Sequence, residues 1–335
     1  MSTRAAINGV GRIGRAILKL LSDAPSFELV AVNDLVDADN LAYLLRFDSV
    51  YGHFAKPVAV QGGNLTIGGH QIRTLAHRDP SDLPWKELGV ELVFECTGAL
   101  THRADLEKHI HAGARIVLLS APSKGNDVET VVHGANAASG ASNIISCASC
   151  TTNCITPIVE VIGRRIGFAK ALMTTVHAYT ASQSLVDGPH KHFRRGRAAA
   201  ANLVPTTTGA AEATTRALPQ YADHFDGIAI RAPIAVGSIA DITFVSSRRT
   251  TVQEVNRILT EESETERYAG VLGVSHDPLV STDIVGDPRA SVVDLELTRV
   301  VDGDLVKVMS WYDNEWGYAS QMLREAAAIS HTLAS

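Results

Sequence analysis

The chain has 335 residues, of which 45% are hydrophobic types and 26 are glycines, a composition typical of a globular enzyme with room for two domains. Its formal net charge of −6 does not favour nucleic acid as the main partner. No apolar run approaches the roughly 20 residues that a membrane helix requires, which argues against a membrane partner. The first residues lack the layout of a signal peptide, so we expect a cytoplasmic location.

The first 150 residues alternate short apolar runs, typical of buried strands, with the three- and four-residue spacing of amphipathic helices. Strand–helix–strand alternation of this kind predicts an α/β fold with a Rossmann-type, doubly wound dinucleotide-binding domain. The predicted strands are Ala5–Ile7, Phe27–Val32, Glu91–Cys96 and Arg115–Leu119, and the predicted helices cover residues 13–21 and 101–112.

The pattern changes after Cys150. A helix that contains Pro157, which removes a backbone donor and should kink the helix, is followed by longer β-rich runs. Several strands without helices between them predict an α+β catalytic domain with a mostly antiparallel or mixed sheet. We therefore expect domains at 1–149, completed by a carboxyl-terminal helix at 315–335, and at 150–314. The predicted strands are Leu172–Tyr179, Gly227–Arg231, Ile239–Val245, Val292–Val300 and Leu305–Trp311, the last two joined as a hairpin.

A glycine-rich turn follows the first strand and opens the first helix. Gly9, Gly11 and Gly14 match the dinucleotide fingerprint, in which glycines let the backbone approach a pyrophosphate at a helix amino terminus. Asp34 ends the second strand, where its carboxylate can accept hydrogen bonds from an adenosine ribose and repels a 2′-phosphate. No cation follows it, so the sequence predicts NAD rather than NADP. Two other strand ends, where such sheets bind ligands, carry Thr97 and Ser120.

The cysteines are too few for a secreted disulfide framework, and three of them, Cys147, Cys150 and Cys154, lie within eight residues. Their spacing lacks the second Cys or His pair of a zinc site, so we expect no metal, although zinc or a redox pair stays open. Cys150 precedes a helical pattern, and a helix amino terminus lowers the pKa of a thiol and makes it a nucleophile. Cys150 is equally consistent with a small buried residue in a capping segment.

Other segments favour the nucleophile. His177 ends a predicted strand that follows the Cys150 helix, where an imidazole can act as base to the thiol and later as an acid. Thr208 and Gly209 precede a helical stretch, and Arg231 ends a strand. Hydroxyls and free N–H groups at a helix start, together with one guanidinium, suit an oxyanion. Each of these residues alone is as consistent with a helix cap or a surface ion pair.

Together these segments resemble phosphorylating glyceraldehyde-3-phosphate dehydrogenase nearly from end to end. The most specific matches are the cysteine segment Ala148–Cys154 and the aromatic segment Trp311–Gly317. The resemblance implies an NAD-dependent oxidoreductase that acts on the aldehyde of glyceraldehyde 3-phosphate and consumes inorganic phosphate. Further matching segments are residues 7–15, 175–180, 186–189 and 208–211.

The resemblance implies a role for each matching residue. Cys150 would attack the aldehyde to give a thiohemiacetal, His177 would assist its deprotonation, and phosphate would release the later thioester as an acyl phosphate. The substrate phosphate would contact Thr180, Arg195 and Arg231, and the attacking phosphate would contact Ser149, Thr151, Thr208 and Gly209. NAD would contact Arg12, Ile13, Asp34, Arg78, Ser120 and Asn314, the last of which would orient the nicotinamide amide.

Members of this family are usually tetrameric, and residues 178–201 resemble their S-shaped loop, which packs at a subunit interface. We therefore expect a homotetramer, and this location explains the basic run at 194–197 better than nucleic-acid binding does. Departures from the family pattern leave the exact aldehyde open: Cys147 replaces the usual Asn, Ser182 replaces Thr or Asp, and the segments Ala232–Ile234 and Gly237–Asp241 differ.

Two alternatives stay open. Erythrose-4-phosphate dehydrogenase has the same fold and thiol chemistry, but the chain resembles it less well around Thr180 and Thr208–Gly209. A cofactor-binding redox sensor that has lost catalysis is a different class of protein. The joint presence of the thiol, its base, Arg231 and Asn314 argues against that class.

Overall fold

The computed structural model describes residues 2–334 and the side chains of residues 2–330. The chain divides into two compact units. The first unit contains the residues up to Val131, the segment Ala137–Ala148 and the residues from Met322 onward, and the second contains Val132–Asn136 and Ser149–Gln321. The functional domains expected at 1–149 with 315–335, and at 150–314, stay a prediction, and their termini Met1 and Ser335 lie outside the described residues.

The first unit is built on a sheet whose strands alternate with helices along the chain. In chain order its elements are β1 (Thr3–Asn8), α1 (Arg12–Leu21), β2 (Phe27–Asn33), α2 (Ala38–Arg46), β3 (Phe47–Asp48), β4 (Gly52–His53), β5 (Val58–Gln61), β6 (Asn64–Ile67), β7 (His70–Leu75), β8 (Leu92–Glu95), α3 (Arg103–His111), β9 (Ile116–Leu119), β10 (Glu129–Thr130) and β11 (Ile144–Ser146).

The strands of this sheet run in the order β10, β11, β9, β8, β1, β2, β7, β6 and β5. Neighbours are parallel from β10 to β7, and the central strands β8 and β9 are buried along their whole length, which explains their continuous apolar sequence. The predicted Rossmann-type parallel sheet is confirmed. Because helices carry the chain back between parallel strands, the carboxyl ends of β1, β2, β8 and β9 meet at one edge.

An antiparallel extension of this sheet, from β5 through β6 to β7, was not predicted. Its two hairpin turns are the pairs Gly62–Gly63 and Gly68–Gly69, all four residues with positive φ. Two-residue turns of this kind need positive φ at both central positions, and glycine adopts it without strain. The glycine pairs are therefore the sequence signal that indicates the extension.

The second unit contains the remaining elements, the last of which continues into the first unit. In chain order they are α4 (Cys150–Arg165), β12 (Phe168–Ala178), β13 (Val204–Thr207), α5 (Ala210–Ala217), β14 (Phe225–Ala232), β15 (Ser238–Ser246), α6 (Val252–Ser263), β16 (Leu272–Ser275), β17 (Ser291–Asp294), β18 (Arg299–Val301), β19 (Leu305–Tyr312) and α7 (Trp316–Ala334). None of the helices in the described part of the chain is both long and apolar enough to cross a bilayer.

The sheet of the second unit has the order β13, β14, β12, β15, β19, β17 and β16, and β18 pairs with β19. The pairs β12–β14 and β16–β17 are parallel and the others are antiparallel, which confirms the predicted mixed sheet. Helix α4 lies in the core of this unit and buries Ile155, Ile158 and Ile162 completely. The kink expected at Pro157 does not end the helix, which continues to Arg165 because its apolar side chains stay packed.

The single strand predicted at Val292–Val300 is wrong. The structure has β17 and β18 there, separated by a 3-10 turn at Leu295–Leu297. Between the pairs Val293–Ser310 and Arg299–Lys307 the first segment advances six residues and β19 advances three. The turn takes up the excess residues, and Asp294 before it accepts a hydrogen bond from Trp311 Nε1 at 3.1 Å.

Candidate active site

Cys150 is the first residue of α4. Ser149 caps this helix: its Oγ accepts a hydrogen bond from the Thr152 amide at 3.2 Å and lies 2.7 Å from Thr152 Oγ1. A short hydroxyl side chain at this position pairs an amide that the helix itself leaves unpaired. Cys154, one turn further along, is fully buried against Ser291 and Ser310 and packs in the core.

His177 reaches Cys150 from the carboxyl end of β12. Its Nε2 lies 3.3 Å from Cys150 Sγ, and its Nδ1 lies 2.6 Å from the Ala178 carbonyl oxygen. Parallel pairing of β12 with β14 sets His177 beside Arg231. Arg231 Nη1 donates to the same carbonyl at 3.1 Å and lies 2.8 Å from His177 Nδ1. Register in the sheet therefore brings together three side chains that lie far apart in the sequence.

Burial and one cation set the protonation of this cluster. Burial, reinforced by the adjacent Arg231 guanidinium, lowers the pKa of His177 to about 3. Burial raises the pKa of Cys150, and the Arg231 charge and hydrogen bonds to Thr151 oppose that rise. The lowered thiol pKa expected from the helix terminus is therefore not found, because desolvation of the thiolate outweighs these favourable contacts. At neutral pH the resting pair is a neutral thiol beside a neutral imidazole.

A layer of hydroxyl groups lies beneath the thiol. Tyr312 OH is 2.9 Å from Thr151 Oγ1 and 2.8 Å from Thr175 Oγ1, and the tyrosine ring packs edge-on against His177. Sequence reasoning missed Tyr312 and Thr175 as parts of this site. Alternate residues of β19 are buried, and this pattern shows that Tyr312 faces the interior. The Thr151 hydroxyl is thus buried and bonded to Tyr312.

The candidate phosphate-binding residues lie around the ends of β13 and β14. Arg195 donates from Nε to Thr206 Oγ1 at 2.8 Å and from Nη2 to the Thr207 carbonyl at 3.1 Å. Gly209 occupies the cap position of α5, and Thr208 Oγ1 accepts from the Ala210 amide at 3.1 Å. The Arg231 Nε atom is buried without a hydrogen-bond partner among the described residues. This group of cations, hydroxyls and a helix start can bind oxyanions.

Thr180 belongs to a second small cluster. Its Oγ1 is 2.9 Å from Ser182 Oγ, and its amide donates to Gln183 Oε1 at 3.3 Å. Ser182, one of the departures from the family pattern, therefore supplies a hydroxyl directly beside the Thr180 hydroxyl.

Asn314 is buried in the second unit. Its Oδ1 accepts hydrogen bonds from the Gly237 amide at 3.2 Å and from Ser238 Oγ at 3.1 Å, which fixes the orientation of the side-chain amide. Gly237 has a φ of 87°, and a Cβ there would lie 2.1 Å from the Ser281 carbonyl oxygen. The departure from the family pattern at position 237 is thus a glycine that its backbone requires.

The glycine-rich turn at the edge of the parallel sheet fits a dinucleotide. A Cβ on Gly9 would lie 2.6 Å from the Thr97 nitrogen, and one on Gly14 would lie 2.0 Å from the Gly9 carbonyl oxygen. A Cβ on Gly11, the cap residue of α1, would meet no described atom within 4 Å. Two glycines therefore permit close packing of turn, helix and strand, and Gly11 leaves an open approach to the helix start, where a pyrophosphate binds.

The other predicted cofactor residues surround the same edge. Asp34 follows β2 and accepts from the Val10 amide at 2.6 Å and the Val36 amide at 3.2 Å. Leu35 and Val36 after it are exposed and apolar, so neither offers a cation to a 2′-phosphate. Arg12 forms an ion pair of 2.8 Å with Asp48. Ile13 lies in the first turn of α1, Thr97 and Ser120 follow β8 and β9, and Arg78 is exposed after β7.

The parallel sheet has this glycine turn and a strand-end carboxylate, and the same chain carries a half-buried thiol beside a buried imidazole. Together these features define an NAD-binding oxidoreductase of the aldehyde-oxidising kind. A family profile described as glyceraldehyde 3-phosphate dehydrogenase, NAD binding domain, matches residues 3–103, and one described as the C-terminal domain of the same enzyme matches residues 149–314. The chain therefore belongs to the glyceraldehyde-3-phosphate dehydrogenase family.

Individual relatives agree with the profiles. The chain is 45% identical to glyceraldehyde-3-phosphate dehydrogenase 2 of Streptomyces avermitilis over 99% of the chain and 100% of that protein. It is 45% identical to glyceraldehyde-3-phosphate dehydrogenase of Geobacillus stearothermophilus over 98% of the chain and 99% of that protein. With the enzyme of the same name from Zymomonas mobilis it shares 43% identity over 99% of the chain and 100% of that protein. The family and cofactor expected from the sequence are confirmed.

Proposed function

We propose that this protein oxidises glyceraldehyde 3-phosphate with NAD and phosphorylates the product to 1,3-bisphosphoglycerate. The observation that carries the proposal is the 3.3 Å separation of Cys150 Sγ and His177 Nε2, with the Arg231 guanidinium against the imidazole. The relatives named above are all glyceraldehyde-3-phosphate dehydrogenases, which supports this aldehyde as the substrate.

His177 acts first as a base. In the tautomer with the proton on Nδ1, both Nδ1 and Arg231 Nη1 donate to the Ala178 carbonyl, at 2.6 and 3.1 Å, and the lone pair of Nε2 faces the thiol. The thiol proton moves to Nε2 as the sulfur forms a bond to the aldehyde carbon, which gives a thiohemiacetal. Because the Arg231 cation disfavours an imidazolium beside it, the proton is returned readily to the substrate oxygen.

The thiohemiacetal carbon then loses a hydride while its hydroxyl proton passes back to His177 Nε2, and the product is a thioester of Cys150. NAD, when bound, supplies the hydride acceptor for this oxidation. Inorganic phosphate attacks the thioester carbonyl, the carbon–sulfur bond breaks, and the acyl phosphate leaves while His177 returns a proton to the sulfur. The thiol therefore conserves the energy of aldehyde oxidation as an acyl group that phosphate can accept.

Two anion subsites are proposed around this cluster. Thr180, Arg195 and Arg231 hold the phosphate of the substrate, and the unpaired Nε of Arg231 supports this role because a buried donor requires a partner. The attacking phosphate is held by Ser149, Thr151, Thr208 and Gly209. The helix that starts at Gly209 presents free amides to it. The Thr151 hydroxyl is buried against Tyr312, so this residue contributes by positioning the segment.

The residues of the parallel-sheet edge are proposed to hold NAD. Gly9, Gly11 and Gly14 admit the pyrophosphate, and Asp34 accepts from the adenosine ribose. Asn314, with its Oδ1 already bonded, presents its amide nitrogen to the nicotinamide amide. Further contacts are proposed for Arg12, Ile13, Arg78, Thr97 and Ser120.

The test is NAD reduction by glyceraldehyde 3-phosphate with and without inorganic phosphate. We expect multiple turnovers only with phosphate, since phosphate is the acceptor that frees the thiol. Turnover that does not depend on phosphate would indicate hydrolysis to the free acid and contradict the proposal. Erythrose 4-phosphate is the matched comparison, and a tenfold preference for it would replace the proposed substrate.

We also propose that the protein is a homotetramer in which residues 178–201 pack against a neighbouring subunit. Leu185, Val186 and Phe193 in this segment are 77%, 72% and 90% exposed, which is unusual for apolar side chains of a monomer. Two of the arginines nearby are bonded within the chain: Arg197 pairs with Asp187 at 2.9 Å, and Arg195 donates to Thr206 Oγ1. Light scattering should give four times the chain mass, and a monomer would contradict this proposal.

A further inference from the structure

We infer that a buried polar network in the first unit positions the backbone that binds the dinucleotide, although its members make no proposed contact with NAD. The inference rests on the proposed placement of NAD at the edge of the parallel sheet. The network consists of Asn8, Asn33, Trp85, Glu95 and His109, and its atoms are connected by hydrogen bonds from β2 to α3.

Glu95, the last residue of β8, is the centre of the network and is fully buried. Its Oε1 accepts the amide hydrogen of Thr97 at 2.8 Å and is also within hydrogen-bond distance of the Thr97 hydroxyl. Its Oε2 accepts from Asn8 Nδ2 at 2.6 Å and faces His109 Nε2 at 3.1 Å. Each carboxylate oxygen thus holds two donors, and one side chain joins the end of β8 to the end of β1.

The two asparagines extend this connection to the neighbouring strand ends. Asn33 Nδ2 donates to Asn8 Oδ1 at 2.7 Å and to the His77 carbonyl at 2.8 Å, and Asn33 Oδ1 accepts from the His77 amide at 2.8 Å. Asn8 precedes Gly9, and Asn33 precedes Asp34. His77 precedes Arg78. The network therefore fixes the backbone next to the proposed cofactor residues that follow β1, β2, β7 and β8.

His109 and Trp85 make the arrangement rigid. Trp85 Nε1 donates to His109 Nδ1 at 3.0 Å, so the ring proton of His109 is on Nε2 and points at Glu95. Both side chains are fully buried. Because the indole can only donate, His109 cannot change tautomer without placing two hydrogens face to face. The Nε2 hydrogen of His109 therefore requires an acceptor, which in this protein is Glu95 Oε2.

Buried polar groups of this kind are not an efficient way to stabilise a core, since apolar side chains of similar volume often serve as well. Their benefit is geometric, because a fully bonded network permits one arrangement of the groups that it joins. At these strand ends that arrangement sets Gly9, Asp34 and Thr97 relative to one another before a dinucleotide binds.

The experiment changes which residue carries the carboxylate. In either orientation, Glu95→Gln places an amide NH₂ against a group that only donates, which is the Thr97 amide on one side and Asn8 Nδ2 on the other. Asn8→Asp places two carboxylates 2.6 Å apart. We expect each single variant to raise the NAD dissociation constant about tenfold by calorimetry, the loss that follows when a buried group loses its partner.

The double variant, Asn8→Asp with Glu95→Gln, restores the pairing with the two groups exchanged. The new carboxylate at position 8 accepts from Asn33, from the new amide at position 95 and from His109 Nε2, which is 3.4 Å from the Asn8 nitrogen. We expect its NAD affinity to return to within about threefold of the original.

Glu91→Gln is the matched control, because Glu91 lies just before the opposite end of β8 and bonds Arg4 and Arg115. We expect it to bind NAD as the original protein does. In the cofactor-free protein, hydrogen exchange of the Thr97 and His77 amides should be faster in each single variant and slow again in the double variant. Alkylation of Cys150 by iodoacetamide without NAD should keep its rate in every variant.

Unchanged NAD affinity in Glu95→Gln would overturn the inference. A double variant whose NAD affinity is no higher than that of the weaker-binding single variant would also overturn it, because the network would then have no partner-specific role. Parallel losses of NAD affinity and of Cys150 alkylation in the single variants would show general damage and also overturn it. An original protein that binds NAD but does not oxidise glyceraldehyde 3-phosphate would contradict the proposed function and leave this inference standing.

Discussion

The dinucleotide-binding edge and the thiol site are assembled in different ways. The residues that define the edge, from Gly9 to Asp34, lie within 26 consecutive positions. The thiol site draws its residues from Cys150 to Tyr312, and they meet only because β12 pairs with β14 and α4 packs on the sheet. The first site depends on backbone conformation, and the second depends on strand register.

This difference determines what limits each site. At the edge, a misplaced Cβ would block the close approach of turn, helix and ligand, so steric requirements dominate. At the thiol site, burial and one cation decide where a proton resides, so electrostatics dominate. Substitutions should therefore separate the two sites cleanly: one set should affect NAD affinity, and the other should affect chemistry at constant affinity.

The largest effect is expected for Cys150→Ser. A hydroxyl cannot be deprotonated by His177 near neutral pH, so NADH formation should fall by at least about 10⁴-fold. The NAD dissociation constant should stay within about twofold, because Cys150 belongs to the thiol site and not to the dinucleotide-binding edge. Stopped-flow absorbance and calorimetry measure the two quantities, and substantial residual turnover would refute the covalent mechanism.

His177→Asn should have the next largest effect. Loss of the base should lower kcat by about 10²- to 10⁴-fold with little change in NAD affinity. His224→Asn is the matched control, since His224 also lies 2.7 Å from a backbone carbonyl through Nδ1 but is exposed before β14. If both variants lost activity equally, the imidazole at 177 would have only a structural role.

Asp34→Ala tests the other site. Removal of the carboxylate should raise the NAD dissociation constant about tenfold and leave the alkylation rate of Cys150 unchanged. Asp37→Ala is the comparison, because Asp37 only caps α2 through the Asn40 amide at 2.8 Å. An altered thiol reactivity in Asp34→Ala would show that the two sites are not separable.

The smallest expected change is in the pH profile of Cys150 alkylation in Arg231→Gln, which tests the electrostatic control of the thiol. Burial raises the pKa of Cys150 and Arg231 opposes this, so removal of the cation raises the thiol pKa further. Less thiolate is then present at any given pH, and the profile of Cys150 alkylation should move to higher pH. Arg197→Gln, which removes an exposed cation, should leave the profile in place; a shift to lower pH in Arg231→Gln would contradict the assignment.

The sequence was most informative where the requirement is local. The spacing of apolar residues predicted both sheets, and the glycine turn with Asp34 predicted the cofactor, because backbone conformation and helix capping depend on neighbouring residues. The Val292–Val300 strand was wrong for the opposite reason. Its apolar pattern is that of a strand, but pairing with β19 decides where the segment turns.

Tertiary structure alone decided the protonation of the thiol pair and the partners of the buried polar groups. From the sequence, the helix terminus predicted a lowered pKa for Cys150, but desolvation of the thiolate in the folded protein raises it. Tyr312 and the Glu95 network were equally invisible, since their partners, apart from Thr97 near Glu95, lie far away along the chain. Sequence thus determined the elements and the reactive residue types, whereas solvation and hydrogen-bond partners depend on which distant strands become neighbours.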